Sequence, residues 1–255
     1  MKLFKRTSIT LSVFILLLWI IMFVWTYYPL RHVGITKVEL QQTELLLEKN
    51  NITVPGELLR KKARAIAGAR VNYPAADREA FVQSILGNDA ESPVGNTYSA
   101  NGITLTFRDS SIIIEGNSAE LDGLTPDNAA GRTKKLLDSF GLSEGDMSAH
   151  VYEKDGGWQI TFVPEFKGRS VFDARIKFTV SGSEYKIETV PMKFYGGENS
   201  ILPQSPCSAL AELALADTAN GTEITGMTLG YKVKNEFLRA AWEIHTSDGS
   251  TYYVE

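Results

Sequence analysis

The stretch that most constrains this chain is its beginning. From Thr7 to Leu30 no residue is charged, and the heart of the stretch reads ITLSVFILLLWIIMFVW. A helix crosses the hydrocarbon core of a bilayer with roughly 20 apolar residues, satisfying its backbone polar groups within itself. Trp25, Tyr27 and Tyr28 cluster at the far end, where amphipathic rings settle at the interface. Lys2, Lys5 and Arg6 precede the stretch, whereas only Arg31 and Lys37 follow it closely. That asymmetry predicts a cytoplasmic N-terminus and an extracytoplasmic domain. A cleaved signal peptide has an apolar run of about 7–15 residues and a small-residue exit; here the run is longer and leaves through Trp-Thr-Tyr-Tyr-Pro. The expectation is a single-pass protein of the cell membrane, with residues 1–30 as cytoplasmic tip and anchor and residues 8–28 in the bilayer. The span has no small-xxx-small groove for close helix contact. Ser8, Ser12 and Trp19 project to roughly one helix face and are the candidate contact surface for a partner span.

Residues 31–255 are enough for one large or two small domains with real cores. The expected division is an N-terminal α+β subdomain over 31–120 and a C-terminal one over 121–255. The whole chain carries a net charge of −4, and Lys2, Lys5 and Arg6 lie in the tip, so residues 31–255 hold about −7. An acidic exterior argues against nucleic acid and against a broad contact with anionic lipid. Cys207 is the lone cysteine, so no internal disulfide is available. An exported domain of that kind leans toward a Gram-positive or anaerobic host.

Periodicity gives the elements. KVELQQTELLLEKN (37–50) reads as a helix, with Val38, Leu45 and Leu46 marking the stripe. Ile52-Thr53-Val54 reads as a short strand, 57–71 as helix or as helix giving way to strand, and 76–86 as a second helix. From residue 97 the period becomes two, with turns at Asn101-Gly102 and Asp109-Ser110. Thr125-Pro126-Asp127 supplies an N-cap, a proline at the first helical position and an early acid, predicting a helix to Phe140. Strands near 148–154, 157–165, 171–181 and 184–195 follow, then a helix opened by Ser205-Pro206, then strands near 222–234, 239–247 and 250–254. The fold class is therefore α+β: helix-plus-antiparallel-sheet units behind a transmembrane helix.

Chemistry is sparse. His32, His150 and His245 show no metal-ligand spacing, and a strand histidine is ordinarily a surface residue. Cys207 with His245 is a conceivable nucleophile–base pair, but a small apolar residue also suits the start of a helix. There is no GxSxG and no glycine-rich phosphate loop. No catalytic residue, metal ligand or cofactor is assigned, and the chain is not expected to be an enzyme. Aromatic residues are frequent in the late strands, from Trp158 to Tyr253. Most are expected in the core, and the remainder would supply an interaction face.

The C-terminal segments carry a resemblance. Ser205-Pro206 opening a helix, Leu229-Gly230-Tyr231 ending a strand, Trp242 in the next strand and Tyr252-Tyr253-Val254 in a final hairpin resemble the end of the YycI/YycH regulatory proteins of Gram-positive bacteria. LLEKNNITVPGELL (46–59) is similar to an earlier segment of that family, and the single anchor matches. The chain departs from the pattern at Ala240-Ala241, where a proline usually precedes the tryptophan, and in a short loop before Leu238. The local helix-plus-meander unit also resembles the PepSY module. The first resemblance implies an extracytoplasmic regulator of a sensor histidine kinase in a two-component system controlling cell-wall metabolism. Its partners would be the kinase and/or a paralogous membrane regulator, met by protein–protein contact. The PepSY resemblance implies instead a binding or inhibitory module acting on an exported protease or other envelope protein.

Overall fold

A computed structural model describes residues 16–22, 32–91, 94–109, 111–143, 145–216 and 218–255. Among these, no helix is long and apolar enough to cross a membrane. Residues 16–22 are helical and their side chains are exposed; the rest of the expected span, Ser8 and Ser12 included, lies outside the described residues, as does Ser110.

The helices are α1 (Lys37–Lys49), α2 (Gly56–Leu59), α3 (Arg78–Leu86), α4 (Pro126–Ser139) and α5 (Pro206–Leu215). The strands are β1 (His32–Val33), β2 (Ala63–Arg64), β3 (Ile66–Asn72), β4 (Thr97–Ala100), β5 (Ile103–Phe107), β6 (Ile112–Asn117), β7 (Met147–Lys154), β8 (Gly157–Phe166), β9 (Arg169–Ser170), β10 (Ile176–Ser181), β11 (Glu184–Thr189), β12 (Lys193–Ile201), β13 (Ile224–Lys234), β14 (Phe237–Thr246) and β15 (Thr251–Val254). They form two compact units that do not follow the sequential cut at residue 120. Unit one gathers 1–66, 200–228 and 240–255; unit two gathers 67–199 and 229–239.

Unit two contains an antiparallel sheet of order β4-β5-β6-β11-β10-β8-β7, with β9 paired to β8. Its inward face follows from strict alternation. Ile176, Phe178 and Val180 of β10 are buried while Lys177, Thr179 and Ser181 are exposed. Tyr185 and Ile187 of β11 repeat the pattern beside them. These residues join Ile114, Ile160, Phe81 and Ile85 of α3 and Ala129 and Leu137 of α4 in one core. Each such large side chain contributes roughly 1.5–3 kcal/mol on burial. The hairpin tips are set by left-handed backbone: φ is 51° at Asn101 and 76° at Gly102, and 53° at Asp155 and 75° at Gly156. That is the dihedral signature of two-residue turns that match strand twist. α4 starts as its sequence implies, with the Thr125 N–H donated to the Asn128 side chain at 2.8 Å.

Two strands expected to be continuous are broken. The 171–181 stretch contains a 3-10 turn at Phe172–Ala174, and only Ile176–Ser181 joins the large sheet. The 184–195 stretch is interrupted at Val190–Met192. Pro191 has no N–H to give a ladder, and the chain resumes as β12, beside β3 in a second sheet.

In unit one, α1 packs on α5. The Thr43 hydroxyl donates to the Cys207 carbonyl at 3.3 Å, and the Asn50 side chain donates to the Ala214 carbonyl at 3.2 Å. Ile52–Val54 is reduced to a single parallel bridge, Thr53 to Glu223. The 57–71 stretch is helix giving way to strand: α2, then β2 and β3.

Candidate functional site

The segments that carry the family resemblance divide between the two units. In unit one, Ser205 caps α5 by accepting the Ser208 N–H at 3.0 Å, Pro206 fills the first helical position, and both residues are buried. The Ser205 hydroxyl donates to the Glu39 carboxylate of α1. Trp242 is 1% exposed, and its indole N–H donates to the Gln204 carbonyl at 3.1 Å. Val254 is its partner across the β14–β15 ladder and is buried too. Tyr252 donates its hydroxyl to the Thr218 carbonyl at 2.8 Å, and Tyr253 donates to Glu243 at 3.0 Å.

In unit two, Leu229-Gly230-Tyr231 is built around close approach. A Cβ on Gly230 would lie 2.5 Å from both the Phe172 ring and the Ser170 carbonyl. Tyr231 is fully buried, bridged to Val171 and edge-on to Phe166 with ring centroids 5.9 Å apart. Among the described residues its hydroxyl has no hydrogen-bond partner of good geometry. Burial pushes that hydroxyl's pKa up, against a smaller opposing pull from Arg169. Every one of these motif residues builds the protein interior or ties strands together, and none converges on a reaction centre.

The remaining sequence candidates are dispersed. His150 is exposed on β7. His245 is half-buried, beside Thr251 at 3.2 Å and Glu243 at 3.5 Å. Cys207 is fully buried, its thiol donating to the Leu59 carbonyl at 3.3 Å. Burial, aided by the Glu39 charge, raises its pKa, so the thiolate a nucleophile needs is disfavoured. No cluster of three metal-ligating side chains occurs among the described residues. Trp19 is 72% exposed. Of the late-strand aromatics, Phe162, Phe178 and Tyr185 are core, whereas Tyr195 is about half exposed.

The concave feature with chemistry is a groove in unit two, and nothing in the periodicity announced it. The break at Val190–Met192 makes one wall. A hollow of about 520 Å³ lies between this wall, α3 and the C-terminal end of α4, with Phe81, Phe140, Pro164 and Phe194 among its apolar surfaces. A second hollow of about 440 Å³ adjoins it and shares Pro191. The second holds Arg78, Arg108 and Asp109; the first holds Asp138 and Lys193. Arg78 lies over the Phe107 ring, 5.0 Å from its centroid, and donates to Asn96 at 3.2 Å. Tyr73, also in the second hollow, has its pKa raised by burial and by Asp173 and Glu236. Those two acids are engaged elsewhere, Asp173 with the Val233 N–H at 2.7 Å and Glu236 with Arg70 at 3.4 Å. The one signal in the sequence was a proline inside an otherwise alternating strand.

No family model matches the chain, and no curated protein matches it in sequence. Solved structures do match. YycH from Bacillus subtilis superposes with a TM-score of 0.52 at 11% identity, covering 77% of this chain and 55% of that one. The chain thus spans about half the length of that structure. An uncharacterized protein from Eubacterium rectale ATCC 33656 matches with a TM-score of 0.47 at 11% identity, covering 80% of this chain and 86% of the other. The mixed helix and antiparallel-sheet fold is therefore similar to that of YycH.

Proposed function

We propose that the chain is a membrane-anchored extracytoplasmic regulator that modulates a sensor histidine kinase of a two-component system controlling cell-wall metabolism. It acts by contact with the kinase and/or a paralogous membrane regulator, and without catalysis. The observation that carries this reading is the YycH-like fold over 77% of the chain. It occurs in a sequence whose Ser205-Pro206, Leu229-Gly230-Tyr231 and Tyr252-Tyr253-Val254 segments resemble that family. Burial of Ser205-Pro206, Leu229-Gly230-Tyr231 and Val254 supports a role as scaffold, leaving regulation to exposed surface and to the span over residues 8–28. A partner of this kind shifts a kinase between two states only as far as it binds one more tightly. A tenfold preference corresponds to about 1.4 kcal/mol.

The test is genetic. Deleting the gene should change transcription from the cell-wall promoters that a two-component system controls, and the full chain should restore it. Replacing residues 8–28 by an unrelated apolar span at matched protein level should restore it incompletely. Unchanged transcription on deletion overturns the reading. For topology, Glu153→Cys on exposed β7 should react with a membrane-impermeant maleimide from outside intact cells. The native Cys207, buried, should stay silent.

A further inference from the structure

The two hollows of unit two form a groove with charge at one end. Arg78 and Arg108 both line the second hollow and neither lines the first. Among the residues that line it, Asp109 is the one acid beside these two cations; Asp173 and Glu236, which act on Tyr73 from outside the lining, are engaged by the Val233 N–H and by Arg70. In the first hollow Asp138 and Lys193 balance. Its remaining walls are mostly apolar, with proline, phenylalanine, Leu142 and Met192 beside the small polar Ser84 and Ser139, and the carbonyl end of α4 adds a partial negative charge. Hollows of about 520 and 440 Å³ are each in the range that small ligands and peptide side chains fill.

Arginine is suited to carboxylate because its planar fork offers two parallel N–H donors. Arg78 is held over the Phe107 ring and by its bond to Asn96. The guanidinium carries five N–H donors in all. The neutral Tyr73 hydroxyl lines the same hollow and is a further donor for an anion. The cations flank an end of the groove, not its middle, so the charge they select belongs at the end of an occupant. The apolar length beyond them selects uncharged side chains.

We propose that this groove binds an extended apolar peptide by its C-terminus. The terminal carboxylate lies between Arg78 and Arg108, and the chain runs past Pro191 toward the carbonyl end of α4. This adds a ligand to the regulatory reading without depending on it: the binding assay below reports on the groove alone, and the transcription test reports on regulation alone.

The experiment immobilises the full chain in detergent micelles. It is offered a randomised pentapeptide library with free C-termini and, separately, the same library amidated. Bound peptides are eluted and identified by mass spectrometry. The free-acid library should be recovered at least tenfold over the amidated one, with apolar residues enriched at the positions before the terminus. Arg78→Gln with Arg108→Gln should reduce recovery to the amide level while leaving the melting temperature within 1–2 °C, since both side chains are exposed. Equal recovery of the two libraries, recovery of neither, or undiminished binding by the double variant overturns the proposal. Retention of the amidated library enriched in Asp or Glu also overturns it, by assigning the arginines to an acidic side chain.

Discussion

The Ser205 hydroxyl, at the N-cap of α5, is donated to the carboxylate of Glu39 in the first turn of α1. One small side chain thereby performs two tasks: it receives the Ser208 N–H of its own helix and fixes a helix distant in sequence. Ser208 adds a second hydroxyl to the same carboxylate oxygen at 3.2 Å. Ser205→Ala removes the cap, about 1 kcal/mol, and a hydrogen bond to a charged group, about 1.5–3 kcal/mol. Ser205→Ala should lower the urea midpoint by an amount equivalent to about 2–4 kcal/mol, and Ser208→Ala by clearly less. Equal losses for the two variants would contradict this division.

Gly230 has no room for a side chain. With the Phe172 ring and the Ser170 carbonyl each 2.5 Å from where a Cβ would stand, one of them must move. Overpacking of this kind costs about 1–3 kcal/mol, and here one obstacle is backbone. Gly230→Ala should fall at or above the top of that range in chemical denaturation. Gly226→Ala on the same strand serves as the control, because its Cβ would meet only the His245 ring at an ordinary 3.7 Å.

Trp242 combines burial with a satisfied indole. Truncation to alanine should cost about 3–5 kcal/mol and reduce abundance in cells. Trp242→Phe keeps most of the volume but leaves the Gln204 carbonyl without its donor, so it should cost less than the alanine variant. A Trp242→Ala protein as stable as the parent would mean that the residue is not a core anchor.

Alkali should weaken unit two through Tyr185. Burial pushes its pKa up to about 12 from the usual 10.0. The neutral form is thus favoured in the folded state, and the unfolded chain ionises first as pH rises. Stability from this residue is complete below pH 10, declines between pH 10 and 12 and then levels. Denaturant melts at pH 8.5, 10 and 11 should show the decline, and Tyr185→Phe should make it shallower, with Tyr73 and Tyr231, also raised, keeping the remainder. An identical slope in the variant would place the sensitivity elsewhere.

What could be read from the sequence was local. Thr125-Pro126-Asp127 located the start of α4, Ser205-Pro206 that of α5, and Asn101-Gly102 the tip of the β4–β5 hairpin. Each is decided by side-chain and backbone chemistry within a few residues. The departures were decided at long range. Val171 pairs with Tyr231, and Phe172 is buried against Gly230, so an alternating stretch bends into a 3-10 turn. Ile52–Val54 found its partner at Glu223 and kept only one bridge. The groove followed the same rule: the arginines at 78 and 108 and the wall at 190–194 belong to separate segments, and no periodicity brings them together. The expected anchor lies mostly outside the described residues.

The make-up of unit one has a consequence for how such a chain is produced. Its segments come from 1–66, 200–228 and 240–255, so Thr43 of α1 and Asn50 at its C-cap wait for their acceptors, the carbonyls of Cys207 and Ala214. At about 5–20 residues per second of synthesis, the delay is on the order of 10–30 s. During synthesis in N-to-C order, α1 emerges early with its inward side uncovered, and residues 67–199 of unit two follow before α5 is made. A copy interrupted before Ser205 therefore lacks both α5 and residues 229–239 of unit two, and presents an uncovered first helix. A chaperone or protease that recognises apolar helix would distinguish stalled molecules from mature ones by α1, long before any difference in function could be felt.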